Sequence, residues 1–318
     1  MTIKFLQASY GDCIHIEADG HHAIIDGGPH AEPLLTELNT IKEKGECIDL
    51  LVVTHYDNDH IVGVLEALSQ LSDVELKDFV KEVWFNAPKG FKADTERQLG
   101  ALQGNKLGNL LVANGVNWIN DLRQGQIFNL SETASIEVLY QGGCDSVHKG
   151  GESLGNVKCD WETSFEDLKH FINDRALDKS AVNSESIILL VKSGDHKILL
   201  PGDSTPDKIL ATLKNYNGRV PTHYDLVKLP HHGSYKNITK DILDQIVCNH
   251  YVVSTDGSSY FHPNKKALLK ILEWGHTEDM KPFIFSFNYP KLIDKLKITP
   301  EEKACCHFDC DGRSEFEF

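Results

Sequence analysis

The sequence predicts a mixed α/β fold in which two sheets carry helices on their outer faces, and three patterns predict it. The first thirty residues hold short β-rich segments separated by Gly-Asp and Asp-Gly turns. Apolar residues recur at helical spacing in 32–44 (Leu34, Leu35, Leu38, Ile41) and in 60–71 (Val64, Leu65, Leu68, Leu71). From residue 187 onward, β-rich and helical segments alternate, the order of a sheet backed by helices.

Taken in order, strands are expected over 3–8, 13–17 and 23–26, then a helix over 32–44 closed by Gly45. A strand over 49–53, a polar loop and the helix 60–71 follow. Residues 74–178 are less patterned. Strands are expected at 83–85 and 135–140 and helices near 96–113 and 166–171, and the Gly-rich run 142–155 reads as a surface loop over a site. The whole stretch is expected to be a variable region holding an insertion or lid. Beyond it come a hairpin (187–191 with 197–200) and a helix over 206–213 with Pro206 at its first position. A strand at 225–229, a helix at 239–246, a strand at 251–254 and a helix at 264–274 follow, with 282–287 and a tail pairing in 307–318 completing the sheet. With no repeat and no linker, residues 1–318 are expected to form one domain.

The 318 residues carry 32 Lys+Arg and 47 Asp+Glu, a net charge of −15, and 41% are hydrophobic. That composition excludes a disordered or fibrous chain. The acidity argues against a protein that coats nucleic acid with a wholly basic surface. Residues 205–300 run the other way, with 13 basic and 9 acidic side chains. Lys228, Lys236, Lys265 and Lys266 there are expected to form a small basic approach to a site. Export and membrane signals are missing, so a cytoplasmic protein with reduced thiols and no membrane partner is expected. The tail Cys305, Cys306, His307 and Cys310 crowds its candidate ligands together with no second spaced pair, which argues against a zinc knuckle.

The chemistry concentrates in Thr54-His55-Tyr56-Asp57-Asn58-Asp59-His60, where a buried strand runs into a loop and then a helix. In an extended loop, residues two apart point the same way, so His55 and Asp57 can share one metal. Asp59 and His60, at the turn into the helix, can face a second. Helix capping by Asp59 would explain one acid but not the flanking histidines. Asp26 ends a strand before Gly27-Gly28. Asp203 ends another just before a helix, where a carboxylate can bridge two ions. His231-His232-Gly233-Ser234 follows a third strand.

In this order the segments resemble the metallo-β-lactamase superfamily, and within it the nuclease-like domain of the competence protein ComEC and its stand-alone bacterial relatives. The resemblance rests on Gly11-Asp12, Asp26-Gly27-Gly28, the aspartate Asp57 in the third motif position, and Asn183-Ser184-Glu185-Ser186. Asp203, His231–Ser234 and His262-Pro263 complete it. It implies an αββα four-layer sandwich with a helical or loop insertion and a dinuclear metal site at one edge. Carried over, His55 and Asp57 hold one metal, Asp59 and His60 the other, Asp203 bridges them, and His232 aligns with the last ligand while His231 lies behind it. Asn183 or a water completes the first site, with His148 and His170 as fallback ligands.

An aspartate in place of an imidazole makes the first site harder, so two divalent ions are expected, Mn²⁺ favoured over Zn²⁺ or Mg²⁺. The expected activity is a metal-dependent phosphodiesterase, a nuclease cleaving DNA with a hydroxide activated between the ions. Asp59 and Asp203 are expected to act on that nucleophile, with His262 protonating the leaving group. His231, Ser234, Asn183 and Lys228 are expected to contact the substrate. The alternatives are a hydrolase of a small nucleotide, lactone or lactam, and an effector subunit activated by a protein partner in antiphage defence.

Overall fold

Along the apolar run 187–191, alternate side chains enter different cores. Ile187, Leu189 and Val191 join one buried cluster, and Ile188 and Leu190 another. The same division separates Leu50 and Val52 from Leu51 and Val53. A strand buried on both faces loses the apolar/polar alternation of a half-exposed one, which is why these runs read as continuously hydrophobic.

The computed structural model describes residues 1–86, 102–143, 159–173, 175–218 and 220–318. The chain begins β1 (Thr2–Phe5), β2 (Ile14–Ala18), β3 (His21–Ile25), α1 (Glu32–Glu43), β4 (Ile48–Val52), α2 (Asn58–Leu68), α3 (Asp73–Phe79) and β5 (Glu82–Trp84). Next come α4 (Leu102–Ala113), β6 (Asn117–Ile119), β7 (Ile127–Asn129), β8 (Ala134–Tyr140) and α5 (Phe165–Lys169). Then follow β9 (Ile188–Ser193), β10 (His196–Leu200), α6 (Pro206–Asn217), β11 (Thr222–His223), β12 (Leu226–Lys228), α7 (Lys240–Leu243), β13 (Ile246–Val247) and β14 (His250–Val253). The chain closes with α8 (Lys265–Trp274), β15 (Phe283–Phe287), α9 (Lys291–Lys295), α10 (Pro300–Cys306), β16 (Phe308–Asp311) and β17 (Glu315–Glu317).

One sheet of seven strands has the order β17-β1-β2-β3-β4-β5-β6, and one of eight has the order β16-β15-β14-β12-β10-β9-β8-β7. Ile3, Ile16, Leu50, Val52, Val138, Leu189 and Leu200 fill the space between them. On the outer face of the first sheet lie Leu34, Leu38 and Ile41 of α1, Ile61 and Val64 of α2, and Leu107 and Leu111 of α4. Ile209 and Leu213 of α6 and Leu268, Leu269 and Ile271 of α8 cover the second. The fold is thus mixed α/β in four layers, as expected. The tail divides between the layers: β17 pairs with β1 and β16 with β15.

The weakly patterned stretch 74–178 supplies β5 to β8 and α3 to α5, so much of it belongs to the layers themselves. The expected loop 142–155 and the start of the helix 96–113 lie largely outside the described residues. The helix expected over 239–246 is shorter: it stops at Leu243, and Ile246-Val247 form β13, parallel to β11. That tertiary pairing captured residues whose local spacing is also helical.

The packing of α2 fixes the edge where β3 and β4 end. A Cβ on Gly63 would lie 1.9 Å from the Gly27 carbonyl oxygen, so only two glycines permit this backbone-to-backbone contact. Gly27 N donates to His60 O (2.9 Å) and Gly63 N to Gly28 O (2.8 Å), which pins the first turn of α2 against the end of β3.

Candidate metal centre

Asp26, just past β3, organises the histidines. It is 1% exposed and receives the Thr54 amide (2.8 Å) and the Thr54 hydroxyl (2.7 Å). His60 Nδ1 donates to the same carboxylate at 2.8 Å. Because the Thr54 hydroxyl has given its proton to Asp26, its oxygen is left to accept from His55 Nδ1, 3.1 Å away. One carboxylate thereby sets two tautomers, and both histidines present a bare Nε2. His232 reaches the same state differently: its Nδ1 donates to the Ser254 carbonyl at 3.0 Å.

Two of these Nε2 atoms meet at Asp203. His60 Nε2 and His232 Nε2 each lie 3.4 Å from Asp203 Oδ2. Asp59 Oδ2 lies 3.4 Å from His232 Nε2. The His55 and His60 ring centroids are 4.2 Å apart, and His55 Nε2 is 3.8 Å from Asp57 Oδ2. His231 Nε2 approaches Asp203 Oδ2 at 3.8 Å, while its Nδ1 faces Asp178 (3.2 Å) and Asn237 (3.3 Å). Both histidines of the pair therefore turn Nε2 toward Asp203, on backbones with φ of 48° and 54°.

Charge explains the protonation. Burial, then the charge on His60, pushes His55 down to about 3, so it is a neutral imidazole. For His60 and His232, burial is outweighed by Asp203 and neighbouring carboxylates, and both are raised well above the ordinary histidine value, so that without a metal each Nε2 holds a proton whose place a bound cation would take. Asp203 is held well below its usual range, the histidine charges overcoming burial. Asp57, whose side chain is 41% exposed, is raised to about 6 by burial and the Asp59 charge. Burial, then His231 and His232, keeps His262 well below the histidine norm and thus neutral near pH 7.

The residues fit divalent metal. His55 Nε2, His60 Nε2, His232 Nε2 and Asp203 Oδ1 are all buried and have no hydrogen-bond partner among the described residues. Each such group costs about 1–3 kcal/mol if left unsatisfied, and a divalent cation serves imidazole lone pairs and carboxylates together. Asp12, His60, Asp203 and His232 also form a group whose ligand atoms all lie within 4.8 Å of one another. Asp12, however, is ion-paired with Lys228 and faces His232 Nδ1 (3.5 Å), on the side of the ring away from Nε2. Its place is behind the histidine, holding it.

Several expected contacts fall elsewhere. Lys228 is 1% exposed and bound to Asp12, so it stands behind the site and cannot meet a substrate. The basic approach is also absent in the form expected. Lys265 is buried against Glu302 (3.2 Å), and the Lys266 ammonium sits 3.6 Å from the centre of the Tyr235 ring, which leaves Lys236 exposed. Adjacency in sequence said nothing about which way these stems point. Asn183 gives its amide to Asp178 (2.7 Å) and lies 3.4 Å from His231 Nδ1, so it braces His231. His170 is exposed at the end of α5, away from these contacts, and His148 lies outside the described residues. Ser234 is 3% exposed and gives its amide to the His231 carbonyl. Cys305, Cys306 and Cys310 are free thiols. Sequence reasoning missed the roles of Asp178 and Asn237 as His231 partners, which only the fold brings together.

The family model described as Metallo-beta-lactamase superfamily matches residues 6–123. Among solved structures, Zn(2+)-bound PqqB from Methylobacterium extorquens is similar at 11% identity and TM-score 0.45, over 100% of both chains. Igni18, a metallo hydrolase from the archaeon Ignicoccus hospitalis, is similar at 14% identity and TM-score 0.43, again over 100% of both chains. CmlA beta-hydroxylase shows 13% identity and TM-score 0.44 over 98% of this chain and 53% of its own, so this chain spans about half its length. A search of curated proteins gives no significant match. No helix among the described residues is long and apolar enough to cross a membrane. The match to the Metallo-beta-lactamase superfamily model includes Asp26 and the whole His55–His60 motif, so residues 6–123 are similar to that superfamily.

Proposed function

We propose that the protein is a metal-dependent phosphodiesterase acting on nucleic acid, related to the ComEC-type nuclease-like domains. The observation that carries this is the approach of the buried Nε2 atoms of His60 and His232 to Asp203, at 3.4 Å each, with the His55 ring beside that of His60 and the more open carboxylates Asp57 and Asp59 alongside. His55 and Asp57 would hold one divalent ion and Asp59, His60 and His232 the other, with Asp203 between. Divalent ions bound there supply Lewis-acid polarisation of a phosphoryl oxygen and acidify water. Three carboxylates with three imidazoles make a donor set hard enough for Mn²⁺, which is favoured, while still suiting Zn²⁺.

Asp59, on the first turn of α2 with 18% of its side chain exposed, orients the attacking water and takes up its proton. His231, braced by Asp178, and neutral His262, with ring centroids 5.1 Å apart, are placed to hydrogen-bond the phosphate and the leaving oxygen. A second reading, hydrolysis of a small nucleotide, is favoured by the burial of Lys228, Lys265 and Lys266, which removes a basic track for long DNA.

The test is cleavage of linear, circular and single-stranded DNA, and of bis(p-nitrophenyl) phosphate, with Mn²⁺, Mg²⁺ or Zn²⁺. Asp59→Ala and Asp203→Ala should each abolish turnover. Activity that survives both substitutions would overturn the reading, and cleavage of the reporter alone would favour the small substrate.

A further inference from the structure

Two bulky aromatic residues stand side by side in a backbone conformation that penalises them. Tyr260 has φ 54° and Phe261 φ 55°, both in the left-handed region where a Cβ crowds the backbone. Strain of this kind persists where the surrounding structure enforces it, and it gathers at ligand clamps. Both rings are nonetheless open to solvent, at 42% and 43% exposure.

The loop that carries them is braced. Asp256 N donates to Ser9 O and Ser9 Oγ to Asp256 Oδ2, both at 2.9 Å. Asn264 N donates to Gly233 O at 3.0 Å, tying the loop's far end to the paired histidines. The Phe261 ring meets Trp161 edge-on at 6.0 Å, and Trp161 Nε1 donates to Pro263 O at 2.8 Å. Tyr260 points to the metal centre: its ring lies 6.0 Å from that of His262, which lies 5.1 Å from His231. Burial, then the charges of Asp59 and Asp57, raises the Tyr260 hydroxyl above its usual value.

We propose that Tyr260, supported by Phe261, is a platform on which an unpaired nucleobase of the substrate stacks at the mouth of the metal centre. The proposal rests on the phosphodiesterase reading and names its substrate class: nucleotides with an accessible base face, in single-stranded DNA or as single nucleotides. Stacking is tolerant of base identity and needs no basic groove, which suits a site beside which Lys228, Lys265 and Lys266 are buried.

The probe is a fluorescein-labelled, phosphorothioate-linked dT 15-mer, which resists hydrolysis, and its abasic counterpart, read by anisotropy in Mn²⁺. The wild type should bind the base-bearing oligomer roughly 5- to 100-fold more tightly than the abasic one. Tyr260→Gly should bind both alike, and Tyr260→Phe should keep the preference. Tyr260→Gly should also melt at a higher temperature, since glycine carries no penalty at this φ. Equal binding of the two oligomers by the wild type, or a preference that survives in Tyr260→Gly, would overturn the proposal. Displacement by thymidine monophosphate, lost in Tyr260→Gly, would assign the platform to single nucleotides, and a preference confined to the oligomer would assign it to single-stranded DNA. If ordinary dT 15-mer is not cleaved with Mn²⁺ while base-dependent binding persists, the phosphodiesterase reading falls and the platform stands. Cleavage with base-independent binding has the opposite meaning.

Discussion

Asp26→Asn should disarm the metal centre without touching a proposed ligand. The carboxylate receives three hydrogen bonds, from the Thr54 amide, the Thr54 hydroxyl and His60 Nδ1. An asparagine with its oxygen toward the Thr54 amide must turn its NH₂ toward the other two. His60 then answers best by moving its proton to Nε2, the nitrogen meant for metal. If the Thr54 hydroxyl accepts from that NH₂, its own proton can rotate toward His55 Nδ1 and drive the same change there. Loss of such an outer partner lowers metal affinity by about 10- to 100-fold. Because Asp26 governs two histidines, the expected loss lies near the upper end, about 2.7 kcal/mol. Metal-free stability should fall by roughly 2 kcal/mol as charge-assisted bonds become neutral ones. Competition titration against a chromophoric chelator with Mn²⁺ and Zn²⁺ measures the first quantity and urea unfolding in EDTA the second. Affinity within about threefold of wild type, in a folded variant, would refute the tautomer argument.

Two other perturbations probe the frame around the site. Lys228→Met leaves the buried Asp12 carboxylate without its ammonium (side chains 1% and 2% exposed) and should cost about 3–5 kcal/mol in urea unfolding. Adding Asp12→Leu should return much of that loss, because the cost lies in the unpaired charge. Glu302 receives the Phe165 amide and faces the Lys265 ammonium, and these outweigh burial to hold its carboxyl below the ordinary value. A carboxyl lowered in the folded state stabilises fully above its unfolded value, about 4.3, and loses that contribution as pH falls through the folded one. Glu302→Gln should therefore destabilise the protein at pH 7, with the gap to wild type closing as pH falls below about 4.

How far the sequence foretold this arrangement depended on whether the decisive partner was local. The strand, loop and helix around His55–His60 were legible because apolar periodicity and close ligand spacing lie in one short stretch. The helix nonetheless starts at Asn58, with Asp57 in extended backbone (φ −67°, ψ 147°) at the N-cap position, which leaves Asp59 inside the first turn. α3 was missed although Ser72 and Glu75 form a reciprocal capping box, a signal present in the sequence. The bracing of His231 by Asp178 and Asn237, and of His232 by Ser254, joins residues distant along the chain or on opposite sides of a turn, and no local pattern reports it. The lysines show the reverse error. Their sequence neighbours suggested a basic approach, whereas Lys228 lies within a buried strand end, and on α8 Lys265 is buried against Glu302 and Lys266 against the Tyr235 ring.

The central claim, that the orphaned Nε2 atoms and Asp203 exist to hold metal, meets its most direct test in stoichiometry. Metal-free protein would be loaded with excess Mn²⁺ or Zn²⁺, desalted and measured by mass spectrometry, beside Asp203→Asn. The account predicts two ions per chain in the wild type, with a raised melting temperature, and at most one in the variant. A wild-type chain that retains no ion and melts at the same temperature with or without metal would contradict it.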